Sequence, residues 1–492
     1  MKLWQKLTLV LVPLVLVVSL PLLLRRDAEV VPGAEVLRLN IITPHNQAIQ
    51  REFGESFVTW YQEEFGEDVY INWLVPGGAS EIRRVLDSGF DAAESDGREG
   101  IGIDVLFGGG EYDFSSQAKL GRFEKLALFE SHSDFFTGEK PVIPAAFSGE
   151  TYYGPNKDWV GVALSSFGII YNKDGLKRLG LSAPKRWEDL ADPRYFGEIA
   201  LADPTKSGSV AKMFEMIVQE AIGEELASGR AEKDGLEYGW DRGLRRIQRI
   251  AANARYFTDS SAKIPHDVAQ GNAVAGMCID FYGRTFEEEK RRSDGSSRVE
   301  FVTPVGGTSV SVDPVAVLKG APHPVLAQRF AEFLLTEPAQ MLWARKAGTE
   351  GGPRLRSLRR LPIRRDLHEG PQRDEMVDGE MRPYDLAESF EYRGDWTGHL
   401  FAPLRTIVRV MGIDSHLELT EAWAAMANRG EVEGTAFSRL EAENGWPSVR
   451  YQAASGRIRE ILKSKDAVAA VQMQRELGEF FRKNYRTSEQ LK

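Results

Sequence analysis

Three groups of residues, far apart along the chain, have the types and spacing to hold a small charged ligand. The first is Ala200-Leu-Ala-Asp-Pro-Thr-Lys-Ser-Gly-Ser209, where an apolar run ends in Asp203-Pro204 and hydroxyls follow at Thr205, Ser207 and Ser209. Beyond it, Val210, Met213, Phe214, Ile217, Val218 and Ala221 recur at the spacing of an amphipathic helix. Ser207 or Ser209 can cap that helix, and its unpaired N–H groups and positive dipole end suit an anion. A capped helix that binds nothing has the same signature. The second group is His45 and Asn46, together with Gly109 and Glu111 in and beside the Gly108-Gly-Gly110 loop. His45 offers an imidazole to a ligand or a cap to its own helix, and the glycines allow close backbone approach or a plain turn. The third group is Asp280-Phe281-Tyr282, with Arg284 four residues after Asp280. Asp280 presents a carboxylate either to an ammonium or hydroxyl group of a solute or to Arg284 in a salt bridge. Ser165 and Ser166 add two hydroxyls, as ligand contacts or as hinge residues.

These residues need a scaffold that gathers them. Residues 36–42, 68–75 and 103–107 read as strands, and a helix after the first carries Ile49, Phe53, Phe57, Trp60 and Tyr61 on one face. Alternating strands and helices imply a parallel sheet covered on both faces, whose ligands sit at the carboxyl ends of strands. His45, Asn46 and the glycine loop lie at two such ends. Residues 159–172 form an extended apolar stretch, broken by Ser165, Ser166 and Gly168, that reads as one long strand crossing between two lobes. A second α/β set follows from residue 173, and residues 310–318 are expected to link the lobes again on the return. Past about residue 365 strand signals stop and charged helical segments run to Lys492.

The ends and the composition narrow the class. Lys2 and Lys6 precede an apolar run over residues 7–24, closed by Arg25 and Arg26. That run is long for a secretory core and long enough to cross a bilayer, with no small-x-small cleavage site after it. An uncleaved N-terminal membrane anchor is the expectation, with a cleaved signal as the alternative, and either exports the rest. A net charge of −10 over 492 residues gives no reason to expect nucleic-acid binding. The single cysteine, Cys278, sits in an apolar run and is expected to be buried and inert. No nucleophile elbow, H-E-x-x-H, P-loop or C-x-x-C pair occurs in the sequence, and no enzyme activity or cofactor is expected.

Four segments in order resemble one family: Gly168-Ile-Ile-Tyr-Asn-Lys-Asp174, Pro184-Lys-Arg-Trp-Glu-Asp-Leu190, the stretch from Ala200 to Ser209, and Asp313-Pro-Val-Ala-Val-Leu-Lys-Gly-Ala-Pro322. They look like the extracytoplasmic substrate-binding proteins of ABC importers, in the ferric-iron-type branch, over roughly residues 36–365. The resemblance implies a periplasmic-binding-protein-like α/β fold of two lobes joined by a hinge. The expected division is residues 1–30 as the membrane segment, 36–158 and 300–365 as lobe 1, 159–299 as lobe 2, and 366–492 as a helical C-terminal extension. It also implies a small-molecule or ion ligand in the cleft, an ABC permease and ATPase as partners, and a periplasmic location at the inner membrane. Ferric-binding members hold their metal largely with two adjacent tyrosines, where this chain has Phe281 and a single Tyr282. An anionic organic or phosphorylated solute is therefore the favoured ligand, received at Thr205, Ser207 and Ser209. A ferric site built from His45, Asp280 and Tyr282 is the alternative, Tyr152-Tyr153 being a pair in a polar loop. A sensor reporting to a membrane partner is the alternative of a different class.

Overall fold

The computed structural model describes residues 36–428 and 447–490. The apolar N-terminal run lies outside the described residues, and among those described no helix is long and apolar enough to cross a membrane.

Two sheets divide the chain. The first begins with β1 (Leu37–Ile42), α1 (Gln47–Phe65), β2 (Val69–Leu74), α2 (Ala79–Ser95), β3 (Val105–Phe107) and α3 (Glu111–Lys119), with β1 parallel to both β2 and β3. The face of α1 expected to be apolar is the one buried: Ile49, Phe53, Phe57 and Tyr61 pack inward with Phe107, Phe330 and Trp343. The long apolar stretch is split at Ser166. β4 (Val160–Ser165) belongs to the first sheet and β5 (Phe167–Asn172) to the second, every residue of both being buried. Burial on both faces explains why no alternation marks them.

The second sheet adds β6 (Ile199–Ala202), β7 (Ala254–Thr258), β8 (Ala275–Ile279) and β9 (Val299–Val302), in the order β9-β5-β8-β6-β7. Its helices include α4 (Gly208–Ala227), α5 (Glu232–Ala252) and α6 (Asp280–Glu289). α4 and α5 lie in close contact because Gly239 and Gly243 face it, where a Cβ would strike the backbone of Ile222 and Val218. The chain then returns through residues 303–310 to β10 (Ser311–Val317), which pairs with β3 and β4, while β11 (Leu361–Pro362) closes the first sheet as β11-β4-β10-β3-β1-β2. Residues 310–318 were expected to link the lobes. They lie inside the first sheet, and the loop before them makes the crossing, because β10 takes its hydrogen bonds from β3 and β4.

The C-terminal residues are part of both cores. Tyr384 and Ala387 pack with the first sheet, and the chain then crosses a third time through Tyr392 and Arg393. The Tyr392 amide donates to Ser148 O on one side (2.9 Å), and the Arg393 amide donates to Gln219 Oε1 on the other (3.1 Å). Helices α7 (Phe401–Val408), α8 (His416–Asn428) and α9 (Ala467–Gln490) then bury Leu404, Ile407, Trp423, Met473 and Phe481 against the second sheet. The Trp240 indole donates to Val449 O and the Trp423 indole to Asn253 Oδ1, both at 2.8 Å.

This packing sets a stability test. Phe481 is fully buried and Val471, on the same helix, is 66% exposed. Phe481→Ala is expected to cost about 3–5 kcal/mol and Val471→Ala less than about 0.5 kcal/mol in urea unfolding. Equal effects would show that α9 does not belong to the core.

Candidate ligand-binding cleft

A cavity of about 830 Å³ opens between the two sheets. One wall is made by the carboxyl ends of β1 and β3. His45 follows β1, and Gly108 holds a left-handed φ of 88° and lies so close to the His45 ring that a Cβ there would collide with it. Asp313, on β10, gathers the rest: its carboxylate accepts from His45 Nε2 (2.9 Å), from the Gly109 amide (2.7 Å) and from Arg360 Nη1. Burial pushes the Asp313 carboxyl up, but the Arg360 guanidinium and the His45 imidazole more than reverse this and hold it well below the usual carboxylate range. Arg360 also donates to Ser165 Oγ (2.5 Å) and lies over the rings of Phe281 (4.6 Å) and Trp343 (5.2 Å).

A second group occupies the α4 side. Lys212 Nζ lies 3.1 Å from Glu150 and 3.2 Å from Glu215, and 3.6 Å from the centre of the Tyr392 ring. Burial pushes this ammonium down, and the two glutamates more than reverse it. Burial pushes the neighbouring Glu111 carboxyl up, opposed by the Ser115 hydroxyl and Lys212. Arg405, from α7, donates to Pro204 O (2.6 Å), Ser80 Oγ (2.7 Å) and Thr205 O (2.7 Å). It thereby joins the start of α2 to the loop that opens α4.

Of the residues expected at the site, His45, Gly109, Glu111, Ser165, Ser207, Ser209 and Tyr282 line this cavity. Four do not. Asn46 Oδ1 caps α1 by accepting from the Ile49 amide (3.1 Å). Thr205 Oγ1 donates to Asp203 (2.6 Å). Ser166 Oγ donates to Asp280 (3.1 Å), which also accepts from Arg284 Nη2 (3.1 Å) and the Phe281 amide (2.7 Å). Of the two alternatives for Asp280, the structure shows the salt bridge with Arg284, and Asp280 does not line the cavity. The proposed ferric set is not assembled either, since Asp280 is absent from the wall that His45 and Tyr282 share. Among the described residues no group of three or more His, Cys, Asp and Glu is placed to hold a metal ion. Burial also pushes the Tyr282 phenol up, against the pull of Arg360. Tyr152 lies in the loop before β4 as expected but is fully buried in the first core, where its hydroxyl donates to Val310 O (3.1 Å).

Arg360, Lys212, Tyr392 and Arg405 were not anticipated. Two carried a signal: Arg405 is the one charged residue in Phe401-Ala-Pro-Leu-Arg-Thr-Ile-Val408, and Lys212 follows Ser209 by three residues on the same helix face. A smaller cavity of about 390 Å³ lies near α5, away from the cleft, where Arg242 and Arg246 are already paired with Glu224.

A cavity between two α/β lobes, partly apolar and with charged and hydroxyl groups converging on it, is the architecture of a receptor for a small solute. Residues 103–352 match the model of the bacterial extracellular solute-binding proteins, and the chain belongs to that family. The substrate-binding protein of an ABC transporter from Agrobacterium tumefaciens shares the fold, with a TM-score of 0.53 at 14% identity over 76% of this chain and 94% of that one. The phosphoglycerate transport regulatory protein of Salmonella typhimurium is 26% identical over 225 residues, 46% of this chain and 48% of that protein. Iron uptake protein A1 of Synechocystis is 27% identical over 233 residues, 46% of this chain and 57% of its own. The chain spans about half the length of the curated relatives it matches.

The Asp313 cluster yields a pair of measurements. Asp313→Asn leaves Arg360 buried without its counter-charge and is expected to cost about 3–5 kcal/mol, much of it recovered in the Asp313→Asn, Arg360→Met double variant. Because the folded carboxyl titrates below its unfolded value of about 3.9, its contribution is complete above that pH and is lost as pH falls further. The acid limb of stability against pH should therefore be shallower in Asp313→Asn. Identical limbs would remove Asp313 as the source.

Proposed function

We propose that the protein captures a small anionic solute in this cleft and delivers it to the permease and ATPase of an ABC importer. The observation that carries the reading is the convergence of helix N-termini: the first turns of α2, α3 and α4 line one cavity, at Gly78–Ser80, Gly109–Glu111 and Ser207–Ser209. α4 has no acidic residue in its first turn to occupy its free N–H groups. A relative named for phosphoglycerate transport agrees with an anionic ligand. The solute touches both lobes, so binding favours the closed state by its differential affinity for that state. The N-terminal apolar run holds this receptor at the outer face of the inner membrane, in the periplasm.

Ligand binding to the folded state stabilises it by about 2.7 kcal/mol at a hundredfold excess over Kd. A thermal-shift panel of phosphorylated and carboxylate solutes should raise Tm. Ser209→Asp places a carboxylate in the first turn, which suits the helix by about 0.3–1 kcal/mol but repels an anion, so the shift should vanish while the ligand-free protein stays folded. An undiminished shift, or none in the unaltered protein, would refute the reading. For the anchor, the intact mass of membrane-fractionated protein should include residues 1–24; a species starting near residue 27–35 would show cleavage instead.

A further inference from the structure

Five arginines among the described residues are buried: Arg246, Arg284, Arg359, Arg360 and Arg405. Four of them face carboxylates, Arg246 with Glu220, Arg284 with Asp280, Arg359 with Asp378 and Arg360 with Asp313. Arg405 is the exception. It is 7% exposed, and its hydrogen-bond partners are two backbone carbonyls and a serine hydroxyl, all uncharged. Two carboxylates attract it without pairing with it, Asp113 and Asp203, and each is already paired, Asp113 with Arg83 at 3.0 Å and Asp203 with Arg409, while Arg83 itself repels the guanidinium. A buried charge without a counter-ion is costly and is retained where something else supplies one.

Its position says what that is. Arg405 lines the cleft beside Ser80, Ser207, Gly208 and Ser209. The first turns of α2 and α4 meet there, a Cβ on Gly208 lying 3.8 Å from that of Ala79. We propose that the C-terminal extension supplies the counter-ion of the bound solute: the Arg405 guanidinium, with the first turns of α2 and α4, receives the phosphate group of a phosphate monoester. This rests on the anionic-solute reading above and narrows it to a dianion. One guanidinium and two helix termini of about half a charge each present up to about two positive charges, the Glu81 carboxylate in the first turn of α2 being paired with Arg84. A phosphate monoester carries about −1.5 to −2 at pH 7 and matches them, whereas a monocarboxylate leaves half unmet. Ser80 belongs to the first lobe and Arg405 and α4 to the second, so the same group is held from both sides.

Titration calorimetry of the full chain with glycerol 3-phosphate, and with lactate as the monocarboxylate, tests this. The unaltered protein should bind glycerol 3-phosphate far more tightly than lactate, and lose affinity below about pH 6 as the monoester takes up its second proton. Arg405→Met should weaken glycerol 3-phosphate binding by about 30-fold or more and flatten that pH dependence, while Arg405→Lys, which keeps the charge without the fork, retains most of it. A merely structural Arg405 would leave the pH dependence intact. Binding by Arg405→Met within threefold of the unaltered protein overturns the proposal while leaving an anionic ligand in place. Preference for lactate overturns the dianion. No response to either solute by the unaltered protein removes both the proposal and the reading beneath it. If Arg405→Met does not fold, Arg405→Gln is measured in its place and read in the same way.

Discussion

Burying a carboxylate is unfavourable unless hydrogen-bond donors and a cation replace the water it loses, and around Asp313 they come from three separate parts of the chain. His45 arrives from the end of β1, the Gly109 amide from the end of β3, and Arg360 from the approach to β11, all onto a residue of β10. Arg360 carries the network on to Ser165, the last residue before the first crossing, and lies over Phe281 of the second lobe. The cleft wall is therefore fixed by charge and hydrogen bonding as well as by apolar packing. The left-handed Gly108 belongs to the same constraint, since only a residue without a Cβ lets the His45 ring reach its place.

The second lobe is built on a different principle. Its sheet is covered by α4 and α5, brought close by the glycines at 239 and 243, and then by helices from the far end of the chain. Tyr485 shows how tightly these are joined: its hydroxyl accepts from Gln248 Nε2 (3.0 Å) and donates to Met411 O (3.1 Å). The C-terminal segment that the family model does not cover is thus structural for both lobes and supplies Tyr392, Phe401 and Arg405 to the cleft.

Local signals in the sequence were reliable where local physics decides. The hydroxyls at Ser207 and Ser209 open a helix as their spacing implies, and the Ser207 side chain caps it by accepting from the Val210 amide. The interruption at Ser165 and Ser166 does mark a crossing between sheets. What could not be read were choices between partners. Asp280 could turn to a solute or to Arg284, and the i, i+4 helical spacing settled it for Arg284. The strand Ser311–Val317 has the composition of a link as much as of a central strand, and only its pairing with β3 and β4 distinguishes them. Arg360 meets partners that are distant in sequence, Asp313 and Ser165, so nothing in its own surroundings announced it. Arg405 was different, because a lone guanidinium in an apolar helix is an anomaly that a sequence does display.

The third crossing has a mechanical meaning. Two neighbouring connections between lobes allow rotation about the line through them, and the angle is limited only by collision. A third connection, hydrogen-bonded to Ser148 on one side and Gln219 on the other, adds a tether. Were the lobes to swing on binding, the stop at the open end would be set by how many residues separate Ala387 from Leu400. Lengthening that span would then widen the gape and shortening it would narrow it, so that a range of motion would be written as a chain length.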